Sequence, residues 1–208
     1  MDFVYPPYCI LCEGELERKH KLVCQSCWDR LEPFETAETY ISENRILSVY
    51  PYSNQMRTII HQLKYSGKLH LAEHLGQAMA DLLIKDKKIR TADFVIPVPL
   101  HKVKKRSRGF NQSDLLARKI SQTSGINLID NVLLRKRYTQ KQSLLPIDKR
   151  AKNVEGAFEV KNGDILQGKN LVLVDDIITT GSTVNECIKV LRDAGSGNVT
   201  ALAAAISA

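Results

Sequence analysis

Apolar residues recur at helical spacing in four stretches of the chain and form short unbroken runs in four others. Met56, Ile59, Ile60 and Leu63 follow the i, i+3, i+4, i+7 stripe of an amphipathic helix. Ser53 is placed to cap its start, and Tyr65-Ser66-Gly67 breaks it. A second stripe, Leu71, Leu75, Met79, Leu82 and Leu83, predicts a helix over about 68–85. A third helix opens at Gly109-Phe-Asn-Gln and runs to about Ser121. The fourth carries Val184, Cys187, Ile188, Leu191 and Ala194 and closes at Gly195. The runs at 93–100, 128–134, 170–174 and 199–206 read as buried strands, the first with prolines at its exit. Residues 135–153 are polar, basic and weakly periodic, which predicts a long mobile loop.

Strands alternating with helices predict an α/β fold with a mainly parallel sheet covered on both faces. Ligands of such sheets bind outside the carboxyl ends of the strands. By this reading two unusual stretches, 97–109 and 175–183, both lie at strand ends. The second belongs to LVLVDDIITTGSTVNEC, Leu171 to Cys187, where an apolar run meets two adjacent carboxylates and then hydroxyls around one glycine. Backbone N–H groups at a helix start attract phosphate, Gly181 allows close approach, and Thr179, Thr180, Ser182 and Thr183 add donors. Asp175 and Asp176 would repel that phosphate, but they can accept hydrogen bonds from a vicinal diol or hold a hydrated divalent cation. A ribose phosphate satisfies both halves. An ordinary helix cap is the competing reading, because Thr183 and Glu186 have capping-box spacing. A cap needs one hydroxyl and no acid pair. There is no Walker Gly-x-x-x-x-Gly-Lys and no Gly-x-Gly-x-x-Gly. A phosphoacceptor receiver needs a later strand with its own Asp, and too little chain follows Asp176.

Charge sharpens this picture. The net charge is +7, and residues 101–152 hold 14 Lys/Arg against 3 Asp/Glu. Such a block fits a polyanionic partner, either small-molecule phosphates or a nucleic acid backbone. Aromatic residues are sparse within it, Phe110 and Tyr138, so backbone contact is expected over base readout. No apolar run approaches the roughly 20 residues that span a bilayer, and the first residues lack the pattern of a secretion signal. A cytoplasmic protein is expected.

Four of the five cysteines form two Cys-x-x-Cys pairs, Cys9/Cys12 and Cys24/Cys27. Two such knuckles can present four thiolates to zinc, with a disulfide framework as the rival arrangement. With no open ligand position the metal would fold this segment and not catalyse. His20, between the pairs, is a minor alternative ligand. Trp28 is expected to pack over the knuckle, and the acidic stretch with Pro33 reads as a linker. His70 and His74 lie one turn apart but lack a third ligand, so exposed histidines are expected.

VLVDDIITTGST closely resembles the phosphoribosyl pyrophosphate motif of type I phosphoribosyltransferases. PVPLHKVKKRSRGFNQSDLLA and RKRYTQKQSLLPIDKRAKNVEGAF, together with the cysteine knuckle, resemble the ComF family of competence proteins, over nearly the whole chain. The resemblance implies a zinc-binding segment at 1–45 and a type I phosphoribosyltransferase fold at 46–208. It also implies a role in natural transformation, in DNA uptake and the cytoplasmic handling of single-stranded DNA. A helicase-like or other uptake protein would be a partner at the knuckle. Asp175 and Asp176 would hold the ribose hydroxyls, Thr179, Thr180, Gly181, Ser182 and Thr183 the 5′-phosphate, and magnesium would bridge pyrophosphate and ribose oxygens. The turn Val98-Pro99-Leu100-His101, with Arg108, falls on the pyrophosphate side. Lys102, Lys104, Lys105, Arg106, Arg135, Lys136, Arg137, Lys141 and Arg150 would supply the flexible loop and DNA-phosphate contacts. No segment resembles a hood that reads a nucleobase, and the knuckle occupies its place. Transfer to an unidentified nucleobase-like acceptor is the alternative to binding alone.

Overall fold

The computed structural model describes residues 7–16, 22–35, 37–65, 70–139 and 145–207. Its main sheet begins at an antiparallel edge, β1 (Glu38–Ile41) against β2 (Asn44–Pro51). β2 then pairs in parallel with β8 (Val199–Ile206), β8 with β7 (Leu171–Ile178), β7 with β3 (Phe94–Pro97), and β3 with β4 (Asn127–Leu128). A separate hairpin joins β5 (Leu133–Arg135) to β6 (Phe158–Val160). The helices are α1 (Gln25–Asp29), α2 (Asn54–Tyr65), α3 (His70–Lys85), α4 (Lys102–Arg108), α5 (Gln112–Ser124), α6 (Ile147–Val154) and α7 (Ser182–Asp193).

Strand side chains alternate between faces, and the two faces of β7 feed two cores. Val172 and Val174 pack with Leu202, α2, α3 and α5, whereas Leu171 and Leu173 pack with Ala201, Ala203 and α7. Every residue of β8 is buried, and alanines at 201, 203, 204 and 205 keep both faces of this central strand thin. The helical stripes behave as the sequence predicts. Met56, Ile59, Ile60 and Leu63 are buried, and Ser53 Oγ accepts from Met56 N at 3.2 Å. Val184, Cys187, Ile188 and Leu191 are buried on α7. α3 and α5 meet at Gly76, where an added Cβ would lie 2.7 Å from Lys119 Cβ.

Three sequence expectations change. The run 128–134 divides into β4 and β5, because Ile129 N still bonds Val95 O but the chain then leaves the sheet to pair with β6. The strand expected over 170–174 continues to Ile178, since β8 pairs with it along its whole length, so the acid pair lies inside the strand. The segment expected as a loop over 135–153 contains α6. The basic run after His101, to which the sequence pattern assigned no element, is helical as α4, stopped by Gly109 in the left-handed region at φ 84°. The strand β2 carried no reading from sequence. Residues 66–69, where the second helix was expected to begin, lie outside the described residues.

The cysteine segment is not a loose appendage. Cys9, Leu16, Leu22, Val23, Cys27 and Leu31 belong to the same buried cluster as α2 and α3. Trp28, expected over the knuckle, packs against the cluster that holds Cys9 and Cys27 and stacks on His74 of α3 with ring centroids 3.7 Å apart. The stretch read as a linker is tied to the sheet, Phe34 N donating to Val49 O and Ser48 N to Ala37 O. The β1–β2 hairpin therefore spans the boundary expected at residue 45. Among the described residues no helix is long and apolar enough to cross a membrane.

β3 leads through α4 and α5 to β4 on one side, while β7 leads through α7 to β8 on the other. Adjacent strands whose continuations part in this way open a crevice at their carboxyl ends. Overpacking at the α3–α5 crossing gives a test of this framework. Gly76→Ala should lower stability by about 1–3 kcal/mol, read as a fall in the midpoint of thermal unfolding with little change in far-ultraviolet circular dichroism.

Candidate functional site

A cavity of about 1290 Å³ occupies the crevice beyond β3 and β7. Its walls come from α2, α4, the start of α5 and the turn after β7. Asp175 and Asp176 sit at its floor on opposite faces of β7. Asp176 is 2% exposed and pairs with Lys64 Nζ at 2.5 Å, while Gln112 Nε2 donates to its other oxygen at 3.3 Å. Asp175 accepts from Ser113 Oγ at 3.0 Å and from Asp176 N at 2.9 Å. Burial, reinforced by the neighbouring Asp176 charge, pushes the Asp175 carboxyl up to about 7 against the opposing pull of Lys64. The pair is thus held by α2 and α5 at an energetic cost that a ligand donating to both acids would relieve.

The turn that follows lines the cavity, and the N-cap of α7 is a glycine and not a hydroxyl residue. α7 starts from Gly181 at φ 72° with no side-chain cap, and Glu186 accepts from Gly156 N at 2.6 Å, so the capping-box reading fails. Thr180 Oγ1 and Ser182 Oγ lie 2.9 Å apart, and 179–183 all line the cavity. The β1–β2 hairpin backs this turn. A Cβ on Gly181 would stand 2.8 Å from Ile41 Cγ2, and Asn44 Nδ2 donates to Asn185 Oδ1 at 2.9 Å.

Opposite, Val98 N donates to Val174 O at 2.8 Å and Val98 O accepts from Asn111 Nδ2 at 3.0 Å, which fixes the turn after β3. Val98, Pro99 and Leu100 line the cavity. His101 does not. Its Nδ1 accepts from Val103 N at 3.3 Å as the cap of α4. Arg108 lines the cavity but turns toward α2, its guanidinium 5.2 Å over the Tyr65 ring and hydrogen-bonded to Gln112.

The expected loop cations divide. Lys104, Arg135 and Arg150 line the cavity. Lys104 Nζ donates to Thr139 O at 3.2 Å. Arg135 is drawn inward, its guanidinium 5.1 Å over Phe158 and bonded to Thr139 Oγ1, and burial lowers its pKa. Lys102, Lys105 and Arg106 lie on α4 outside the cavity, Lys105 paired with Asp114 at 3.0 Å. Lys136 and Arg137 are exposed, the latter donating to Glu155 O at 2.6 Å. Lys141 lies outside the described residues. Sequence reasoning missed Arg57, His61, Lys64 and Tyr65 of α2 and Gln112 and Ser113 of α5. The four α2 positions were legible only as the polar face of an amphipathic helix, and nothing local tied Lys64 to Asp176. Altogether the walls carry Arg57, Lys64, Lys104, Arg108, Arg135 and Arg150 against two carboxylates, a field that favours an anion.

The cysteine cluster is a separate centre. The Sγ atoms of Cys9, Cys12, Cys24 and Cys27 all lie within 4.8 Å of one another, and none forms a disulfide. The Cys12–Cys24 Sγ separation of 3.7 Å matches the edge of about 3.8 Å that a thiolate tetrahedron with zinc–sulfur bonds of about 2.3 Å requires. The four cysteines fit structural zinc, and the disulfide alternative falls. His20 lies outside the described residues. Half of the His70–His74 pair is engaged with Trp28, and the four cysteines are the convergent ligand set among the described residues.

Comparison with known proteins covers both parts of the chain. Residues 1–38 match the double zinc ribbon domain, and residues 72–205 match the phosphoribosyl transferase domain. The DNA utilization protein YhgH of Escherichia coli O157:H7 is 30% identical over 181 residues, 86% of this chain and 75% of that protein. Competence protein ComFC of Bacillus subtilis (strain 168) is 31% identical over 193 residues, 90% of this chain and 72% of that protein. A purine phosphoribosyltransferase structure from Pyrococcus horikoshii Ot3 superposes with a TM-score of 0.41 and 19% identity, over 64% of this chain and 71% of that one. With a phosphoribosyl transferase domain behind a four-cysteine ribbon and competence proteins as relatives along most of its length, this chain belongs to the ComF family.

Proposed function

We propose that the cavity binds phosphoribosyl pyrophosphate with Mg²⁺ and that the protein acts in natural transformation, on incoming single-stranded DNA in the cytoplasm. The observation that carries the first part is convergence. An acid pair for a diol and a hydroxyl turn at a helix start for a phosphate occupy one cationic cavity at the strand-order switch point. Asp175 and Asp176 accept from the ribose hydroxyls, and the backbone and hydroxyls of 179–183 hold the 5′-phosphate. Lys104 and Arg150, with the fixed turn at 98–100, face the pyrophosphate. Magnesium would come with the ligand and offset its phosphate charge, beside the Asp175 and Asp176 carboxylates.

The second part rests on the relatives, named for competence and DNA utilization, and on the exposed cations of α4, Lys102 and Arg106, which stand beside the cavity and outside it. These suit phosphates of a strand passing the mouth. The ribbon, docked on α3 through Trp28 and His74, leaves its outer surface for a helicase-like or other uptake partner. Phosphoribosyl transfer to an acceptor is the second reading, favoured by volume. The cavity exceeds the roughly 300–1,000 Å³ usual for a small-molecule site, which leaves space beside the ribose phosphate.

Three measurements test these assignments. Calorimetry with Mg²⁺ should give micromolar-range binding of phosphoribosyl pyrophosphate that weakens by about 100-fold or more in Asp175→Asn/Asp176→Asn, two lost charge-assisted contacts; absence of heat from the wild type overturns the reading. Binding should also strengthen as pH rises from about 5 to 7 and level off above it. Asp175 stands near 7 in the free protein, facing Asp176, Lys64, Ser113, Arg135 and Cys187, and its ionised form accepts the more strongly from a ribose hydroxyl. The same raised value makes the folded state bind a proton that the unfolded state releases, so free-protein stability falls as pH rises from about 4 to 7. Asp175→Asn should therefore raise the unfolding midpoint by roughly 2 °C or more at pH 8 and by little near pH 4. Finally, affinity for a poly-dT oligonucleotide should fall steeply between 50 and 200 mM salt, and Lys102→Glu/Arg106→Glu should flatten the log–log slope by about 1.4, at about 0.7 per strand phosphate contact; an unchanged slope counts against α4 as the contact.

A further inference from the structure

The part of the cavity walled by α2 has a chemistry that a ribose phosphate does not use. Arg57, His61, Lys64 and Tyr65 fall at i, i+4, i+7 and i+8, so they share one helix face, and all four line the cavity while Met56, Ile59 and Leu63 anchor the other side. Arg108 spreads its guanidinium 5.2 Å over the Tyr65 ring, and the His61 ring lies 4.8 Å from the same ring. Gln112 accepts from Arg108 and donates to Asp176 at 3.3 Å, so contacts run without a break from the ribose-side acid to this aromatic face.

The charges there are unbalanced. Lys64 is neutralised by Asp176, but Arg57 and Arg108 meet no carboxylate among the described residues. Cations gathered in one concave wall repel each other, and a bound anion removes that cost. A neutral base would leave both guanidinium groups uncompensated. A bare phosphate would meet the guanidinium groups but not the face that Arg108, Tyr65 and His61 form together. A flat ring with an acidic substituent answers both, stacking against Tyr65 and Arg108 while its anion meets Arg57.

Building on the phosphoribosyl pyrophosphate reading, we infer that the α2 wall is an acceptor subsite for a planar ring carrying a carboxylate or phosphate. A ribose diol that takes over the Asp176 carboxylate releases Lys64 Nζ toward the same anion. The two ligands thereby favour each other, because the first supplies the second with a cation.

Titration of the full chain with matched probes tests this. Orotate is set against uracil, and thymidine 5′-monophosphate against thymidine. At least one anionic probe should bind about tenfold or more tighter than its neutral parent, the worth of one charge-assisted contact. A preference confined to orotate assigns the carboxylated ring, and one confined to the monophosphate assigns the nucleotide. Arg57→Gln and Tyr65→Leu should each weaken the preferred probe by about tenfold with unchanged far-ultraviolet circular dichroism. Equal binding of charged and neutral probes overturns the inference, as does an unaffected Arg57→Gln variant. If the wild type binds phosphoribosyl pyrophosphate with Mg²⁺ but none of the four probes, the subsite falls and the reading of the ribose site stands. If it discriminates the charged probes without binding phosphoribosyl pyrophosphate, the subsite stands and that reading falls.

Discussion

The buried contact between Asp176 and Lys64 is the constraint around which the cavity is arranged. A carboxylate that is 2% exposed must be paired or it destabilises the fold by several kcal/mol. The pairing fixes the end of α2 over the end of β7, although the two are more than a hundred residues apart in the chain. Gln112 and Ser113 then fix the start of α5 over the same two acids. Two helices from one side of the switch point are thereby aimed at carboxylates that no apolar packing would place next to each other. The strand carries them because β8, thin and fully buried, pairs with it past the acids to Ile178.

The ribbon plays a larger structural part than its length implies. About 30 residues cannot enclose a core of their own, and here they do not attempt to. Leu16, Leu22, Val23 and Leu31 are buried against the same cluster that holds α2 and α3, with Trp28 stacked on His74. Zinc shapes the segment, and the main domain completes its burial. Since α2 also walls the cavity, the metal segment supports the helix that carries Lys64. The β1–β2 hairpin makes a comparable link, passing from the ribbon to the hydroxyl turn through Ile41 and Asn44.

Much of this was readable from residues. The stripes of α2 and α7, the buried strand after 93 and the alternation of strands with helices are short-range patterns, set by periodicities of 3.6 and 2. The acid pair and hydroxyl turn stood out because their residue types fit no core, and the structure brings both to one cavity. Where the reading missed, the cause was a partner distant in sequence. The strand end at Ile178 depends on β8, and the break between β4 and β5 depends on β6. Arg135 was read as one more mobile loop cation, yet Phe158 and Thr139 hold it inside.

Sequence alone marked two clusters, four cysteines in two Cys-x-x-Cys pairs and an acid pair followed by a hydroxyl turn. Ligand type and spacing are local properties of a chain. It also determined that the middle of the chain is strongly basic. Only the tertiary structure decided which of those cations face the cavity and that α2 supplies its remaining wall. A charge acts through distance in space, and the sheet order brings Lys64, Arg108 and Asp176 together where chain order keeps them far apart.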